Sequence, residues 1–333
     1  MRYKVLFVER KPSASVSIER VFQQVGKDLP GDRFEIEVQK MPFGTGIFGI
    51  LMNLLFFRPQ PADIYHITGQ IHYIALRMPK KKTVLTVHDL VFLHRRKGLR
   101  RFVLKWLFLK LPLQRLRFVT AISQSTKDEI LKFVSTDKAK IRVIENPLID
   151  GFEPDAVKPF DQNCPVILQI GTAENKNLRN LIHAIRGINC KLRIIGRLDD
   201  RISDMLRSSD IVYENDIELG QNKIVEEYRN ADILTMCSTY EGFGLPIIEA
   251  QAMRKPVITS NRSPMKEVAG RGACLVDPDN PENIRSGLLR LINDPQYRSE
   301  LIEEGASNIL RFDAQKIAAQ YADVYNEVII CES

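Results

Sequence analysis

Residues 231–277, ADILTMCSTYEGFGLPIIEAQAMRKPVITSNRSPMKEVAGRGACLVD, confine this chain to a narrow set of folds. Residues 231–237 are an apolar run of strand length. Residues 238–244 are polar and include Gly242 and Gly244. Pro246 suits the first turn of a helix, where its missing N–H costs no hydrogen bond. The predicted helix runs to Met253, Lys255 and Pro256 close it, and residues 257–259 open another strand. Strand, loop, helix, strand is the unit from which parallel α/β sheets are built.

The loop carries a chemical sense. Gly242 and Gly244 let the backbone approach a ligand, because no Cβ intervenes. Free N–H groups at the helix start, with the helix dipole, favour an anion there. Glu241 precedes the helix and Glu249 lies one turn inside it. Carboxylates repel a phosphate but accept hydrogen bonds from sugar hydroxyls, so the pair suits sugars on either side of one. A lone acid pair is more often just a capped helix with solvated glutamates.

The whole string points further. Glu241 and Glu249, with seven residues between them including Gly242, Phe243, Gly244, Leu245 and Pro246, resemble the E-x7-E motif of retaining glycosyltransferases of group 1. The resemblance continues through Lys255-Pro256-Val257-Ile258, Glu267-Val268-Ala269-Gly270 and Val276-Asp277-Pro278. It implies an α/β chain of GT-B fold, two facing Rossmann-like doubly wound domains with the active cleft between them. It implies an acceptor-binding domain over residues 1–155, a nucleotide-sugar-binding domain over 156–312 and a terminal helix over 313–333 that packs back on the first.

Length agrees, since 333 residues make two domains of ordinary size. With 44% hydrophobic and 27% charged residues the class is soluble and globular. No apolar run reaches the roughly eighteen residues of a transmembrane helix. Residues 1–4 pass directly into apolar 5–8, the pattern of a strand rather than a signal peptide. Five scattered cysteines without a C-x-x-C fit a reducing cytoplasm and form no zinc site. Residues 1–150 carry 27 Lys and Arg against 13 Asp and Glu, a net +14, whereas residues 151–333 carry 21 against 28, a net −7. Such asymmetry suggests that the first half meets an anionic surface.

Residues 5–8 read as a strand and 17–25 as a helix. Ser13, Ser15 and Ser17 stand where the family often has a glycine-rich turn near the donor phosphates. Gly44, Gly46 and Gly49 match G-x-G-x-x-G, but they follow the second strand, not the first, so the dinucleotide reading is rejected. They read as the entry to an apolar helix over 47–57, whose Leu51, Leu54, Leu55 and Phe56 fit either core or an exposed apolar face. Residues 94–117 interleave Arg101, Lys105 and Lys110 with Phe102, Leu104, Trp106, Leu107 and Leu109, until Pro112 kinks or ends the helix. That pattern fits a membrane-surface helix or a solvated basic face. No nucleic-acid-binding motif accompanies the charge, so nucleic acid is not an expected partner. After the strand at 118–122, Ser125 and Asp128 have capping-box spacing.

The resemblance extends to residue roles. His88-Asp89, after the strand at residues 83–87, is similar to the family's His-Asp, whose histidine reaches the donor sugar and acceptor cleft. Gly171 and Lys176 resemble the donor-diphosphate loop, with Thr172 in place of an arginine. The roles implied are catalytic for His88, Glu241 and Lys176. Donor binding is implied for Gly171, Thr172, Lys176, Glu241, Gly242, Phe243, Gly244, Leu245 and Glu249. The donor is a UDP- or GDP-linked sugar and no separate cofactor or metal is expected. The acceptor is a saccharide or lipid-linked saccharide in envelope or extracellular polysaccharide synthesis. The expected location is cytoplasmic, peripheral on an anionic membrane surface. Two rival readings are a sugar-nucleotide epimerase of the same fold and a basic module that binds nucleic acid or membrane.

Overall fold

The structure is a computed structural model that describes residues 2–11, 17–44, 46–94, 96–154 and 158–331. The chain divides into two compact units, Met1–Ile149 with Asp313–Ser333, and Asp150–Phe312. Ser13 and Ser15 lie outside the described residues, as do Thr45 and Arg95.

The first unit holds β1 (Tyr3–Glu9), β2 (Phe34–Lys40), β3 (Ile64–Ile67), β4 (Thr83–Val87), β5 (Phe118–Ala121) and β6 (Ile141–Val143). Their order is β2-β1-β3-β4-β5-β6 and every pairing is parallel. β3, β4 and β5 are buried along their whole length, as strands covered on both faces must be. The order reverses between β1 and β3, and at such a switch point the loops beyond the strands' carboxyl ends part to form a crevice.

The second unit holds β7 (Val166–Ile170), β8 (Lys191–Ile195), β9 (Val212–Asp216), β10 (Ile233–Met236), β11 (Val257–Ser260) and β12 (Cys274–Val276). Their order is β12-β11-β10-β7-β8-β9, again all parallel, and the switch point lies between β7 and β10. β9 lies at the sheet edge, and its Val212, Glu214 and Asp216 alternate outward.

Several local expectations change. The helix after β5 is capped by Ser123, not Ser125: the Ser123 hydroxyl accepts from Thr126 N at 3.0 Å. The glycines of G-x-G-x-x-G serve packing. A Cβ on Gly49 would lie 2.1 Å from Gly44 O, so this glycine lets the preceding loop rest on the helix Ile47–Phe56. Asn53 on the same helix ties Phe43 down through both its N–H and its carbonyl. That helix is apolar and yet exposed. Only Gly49 and Asn53 are buried, while Ile47 and Phe48 are 86% and 71% accessible.

The basic stretch is not one amphipathic helix. A short helix Val91–His94 precedes a second run, in which Gly98–Lys105 passes without interruption through a π-helical turn Trp106–Lys110 into Leu111–Arg115. Pro112 follows the π-helical turn and offers no N–H to the carbonyl of Phe108. His72 takes that carbonyl instead, with Nδ1 donating at 3.0 Å.

Three histidines of the first unit are buried: His66, His72 and His88. His66 bridges the sheet to the helix Ala314–Ile330, with Nε2 2.7 Å from Thr86 Oγ1 and Nδ1 2.7 Å from Tyr325 Oη. Burial, the dominant cause in each, depresses the three side chains to about 3, 4 and 4 respectively. All three are therefore neutral in the fold at neutral pH. The unfolded chain binds their protons near pH 6.5, so stability is full above that value and is lost as pH falls toward 4. Each histidine should contribute a slope of about 1.4 kcal/mol per pH unit in that window. Urea unfolding of the first unit should therefore shift to markedly lower urea between pH 7 and pH 5. An unchanged midpoint would contradict neutral burial.

Candidate active site

The second unit brings the predicted donor residues to its switch point. β7 ends at Ile170 and Gly171 follows at φ +89°, with its N–H bonded to Ile195 O at 2.7 Å. The positive φ turns the chain back, and Lys176 folds over the glycine. A Cβ on Gly171 would meet Lys176 Cε at 2.9 Å. From the neighbouring strand β10 comes the loop that carries Glu241. The two loops join through an ion pair, Lys176 Nζ to Glu241 Oε1 at 2.8 Å, with both side chains mostly buried.

Asn175 ties the same loops by backbone. Its Nδ2 donates to Tyr240 O at 2.9 Å and its carbonyl accepts from Thr239 N at 2.8 Å. Asn177 adopts the left-handed conformation at φ 61° and donates to Cys237 O and Pro278 O. Gln169 donates to the carbonyls of Gly171 and Lys176. The lysine thus sits on a loop held at both ends. An ammonium has three donors, and Glu241 engages one of them.

The helix Leu245–Ala252 starts beside this pair, with Gly244 at φ 128° before it and Pro246 in its first turn, so the entry to the helix matches its prediction. Glu249 lies on that helix and is held by Tyr228, whose Oη donates to Glu249 Oε2 at 2.6 Å. Burial and the adjacent carboxylate push the Tyr228 phenol well above its usual range, so it remains a donor. Gly242 lies in the loop and Leu245 opens the helix. Phe243 differs from its neighbours: its side chain is buried edge-on against Phe312 at 5.7 Å, so only its backbone is left for a ligand. Thr172 makes up for no cation, since its hydroxyl donates to Arg197 O at 2.5 Å. That contact nevertheless holds the main chain of Arg197, an exposed residue just past the end of β8, at the same edge of the sheet.

His88 belongs to the first unit. It follows β4, is 4% exposed, and donates Nε2–H to Thr68 O at 2.7 Å. A carbonyl only accepts, so the proton is on Nε2 and the lone pair on Nδ1. Phe22 packs edge-on against the ring at 5.9 Å. With its side chain depressed to about 4, mainly by burial, His88 is a weak base at neutral pH and a good hydrogen-bond acceptor. Nearby, Glu9 ends β1 with its carboxyl raised, first by burial and then by Glu19. Arg10 pairs with Glu19 at 2.7 Å.

Sequence reasoning missed Tyr228, Asn175, Arg197 and Glu9. Tyr228 lies twenty-one positions from Glu249 on another helix, and no local pattern joins them. Glu9 and Arg197 carry the one available signal, a charged residue at or just past the end of an apolar strand. Among the described residues, no three His, Cys, Asp or Glu side chains gather as a metal site.

Comparison with known proteins covers both units. Residues 153–308 match the family described as Glycosyl transferases group 1, and residues 35–149 match Glycosyltransferase Family 4. The O-antigen chain mannosyltransferase RfbU of Salmonella typhimurium is 27% identical over 218 residues, which cover 62% of this chain and 60% of that protein. The MMP alpha-(1->4)-mannosyltransferase of Mycolicibacterium hassiacum is 28% identical over 224 residues, covering 62% of this chain and 53% of that one. The chain thus spans little more than half the length of these curated relatives. Anabaena Alr3699/HepE, solved in complex with UDP and glucose, superposes with a TM-score of 0.76 at 17% identity, covering 98% of this chain and 100% of that one. At that identity the likeness establishes the fold, GT-B, and nothing finer.

The loop geometry makes a prediction of its own. Gly171→Ala places a Cβ against the Lys176 side chain and forces an unfavourable φ, costing about 1–2 kcal/mol. Gly31→Ala, with open space around it, serves as the control. Chemical denaturation should show Gly171→Ala destabilised and Gly31→Ala near neutral. Equal stability of the two would remove the requirement for glycine at 171.

Proposed function

The chain belongs to the group 1 glycosyltransferases, and from that premise we propose that it is a retaining enzyme that moves a sugar from a UDP- or GDP-linked donor to a saccharide or lipid-linked acceptor. The observation that carries this reading is the Lys176–Glu241 pair at the β7/β10 switch point, just before the helix that carries Glu249. Lys176, helped by Arg197 and the N–H groups at the start of the helix Leu245–Ala252, faces the diphosphate. These groups stabilise the charge that develops on the leaving group. Glu241 accepts hydrogen bonds from the transferred sugar. Glu249, steadied by Tyr228, accepts them from the ribose. His88 orients a hydroxyl through its Nδ1 lone pair instead of taking its proton outright. The chemistry is positional, and a two-carboxylate glycosidase scheme does not apply.

The named relatives support polysaccharide synthesis as the setting, since one is an O-antigen chain mannosyltransferase. The basic first half supports work at an anionic membrane face. Each cation near such a surface contributes about 1 kcal/mol. No described helix is long and apolar enough to cross a membrane. A donor sugar altered without any acceptor would favour the epimerase reading instead.

The experiment is a calorimetric titration of UDP, GDP and ADP, then of their sugars, followed by assignment of the product's anomeric configuration. Glu249→Ala and Lys176→Ala should each weaken nucleotide binding about ten- to a hundredfold, since a hydrogen bond to a charged group contributes about 1.5–3 kcal/mol. Unchanged affinity in both variants would refute the site. Because the diphosphate is held by side-chain cations and N–H groups, transfer should persist in EDTA. Complete loss on chelation, restored by magnesium or manganese, would overturn that assignment.

A further inference from the structure

The first unit has a groove of about 900 Å³ at its own switch point, beside the loops that follow β1 and β3. Its walls are apolar: Ile47 and Ile50 from the helix Ile47–Phe56, Leu99 and Val103 from the helix Gly98–Lys105, with Phe92 before the second helix and Phe108 after it. The same groove is lined by four cations, Arg10, Lys11, Arg96 and Arg100. Arg10 is engaged with Glu19, but Lys11, Arg96 and Arg100 are exposed and form no ion pair with a described residue. Around the opening the apolar surface continues outward. Phe48, Phe56, Leu99 and Phe102 are all more than half accessible, an exposure that soluble surfaces rarely sustain without a partner.

This combination selects one kind of occupant. Apolar walls accept a hydrocarbon chain, and a concave site of this volume suits a single ligand better than a flat bilayer face. Guanidinium forks favour a phosphate head, because they match its oxygens two at a time. The groove also touches the chemistry. Its Gln70 follows Thr68, whose carbonyl orients His88, and the Gln70 amide donates to Asp89, the residue after His88, at 2.6 Å.

We propose that this groove binds a lipid phosphate: the apolar chain between the helices Ile47–Phe56 and Gly98–Lys105, the phosphate on Arg96, Arg100 and Lys11. The inference rests on the transferase reading, and it narrows the acceptor to one carried on an apolar chain through a phosphate ester. The outer faces Phe48, Phe56 and Phe102 then lie toward the membrane from which that chain is drawn.

The test is calorimetry on the full chain with farnesyl phosphate below its micellar concentration. Farnesol, inorganic phosphate and anionic vesicles are parallel arms, and UDP and GDP are titrated separately. Farnesyl phosphate should bind at least about tenfold more tightly than either farnesol or phosphate, because only it uses both wall and cations. The double variant Arg96→Glu with Arg100→Glu, and separately Val103→Asp, should each weaken it by about tenfold or more with an unchanged unfolding midpoint. Equal affinity for farnesol and farnesyl phosphate would overturn the proposal. So would binding to anionic vesicles alone, which would make the surface a membrane-docking face. Nucleotide binding without farnesyl phosphate binding would sink the groove and leave the transferase reading intact. Farnesyl phosphate binding with no nucleotide binding would do the reverse.

Discussion

The Lys176–Glu241 ion pair joins the two loops that flank the switch point of the second sheet, and the rest of that unit is arranged to hold it. A lysine is a flexible point charge, so alone it would not define a site. Here Gly171 leaves room for it, Gln169 and Asn175 fix the loop it stands on, and Asn177 ends that loop in a conformation few residues adopt. The carboxylate orients the ammonium and leaves it with donors to spare. The parallel strand order does the rest, because it parts the loops at one place only.

The first unit uses the same topology with different chemistry. Its strand ends carry a neutral, buried histidine rather than a charge. Burial that depresses His88 also removes it as a strong base, and its Nε2–H is fixed on Thr68 O with the lone pair on Nδ1. The neighbouring groove is apolar with a cationic lining. One unit therefore offers groups suited to a diphosphate and sugar hydroxyls, and the other offers groups suited to an amphiphile. The cations that line the groove are part of the net +14 of residues 1–150.

The parallel α/β architecture and the turns of the loops that flank the second switch point were legible because glycine, proline and short apolar runs punctuate local structure. Gly171, Gly244 and Pro246 sit where their backbone preferences demand. What escaped was non-local. Tyr228 gives no hint of its bond to Glu249, since which face of its helix meets a neighbour is decided by packing. Pro112 announced a kink in the basic stretch, but not that His72, forty positions earlier, takes the carbonyl it leaves unbonded. The G-x-G-x-x-G string was rightly read as the entry to an apolar helix, but not as a packing device. Its last glycine is required by the loop resting on the helix, a contact that no spacing rule encodes.

The most direct measurement is a crystal structure of the chain with an intact UDP- or GDP-linked sugar. The account predicts the diphosphate within hydrogen-bond distance of Lys176 Nζ, the ribose hydroxyls on Glu249 and the sugar on Glu241. A nucleotide bound elsewhere, with the Lys176–Glu241 pair untouched, would contradict it.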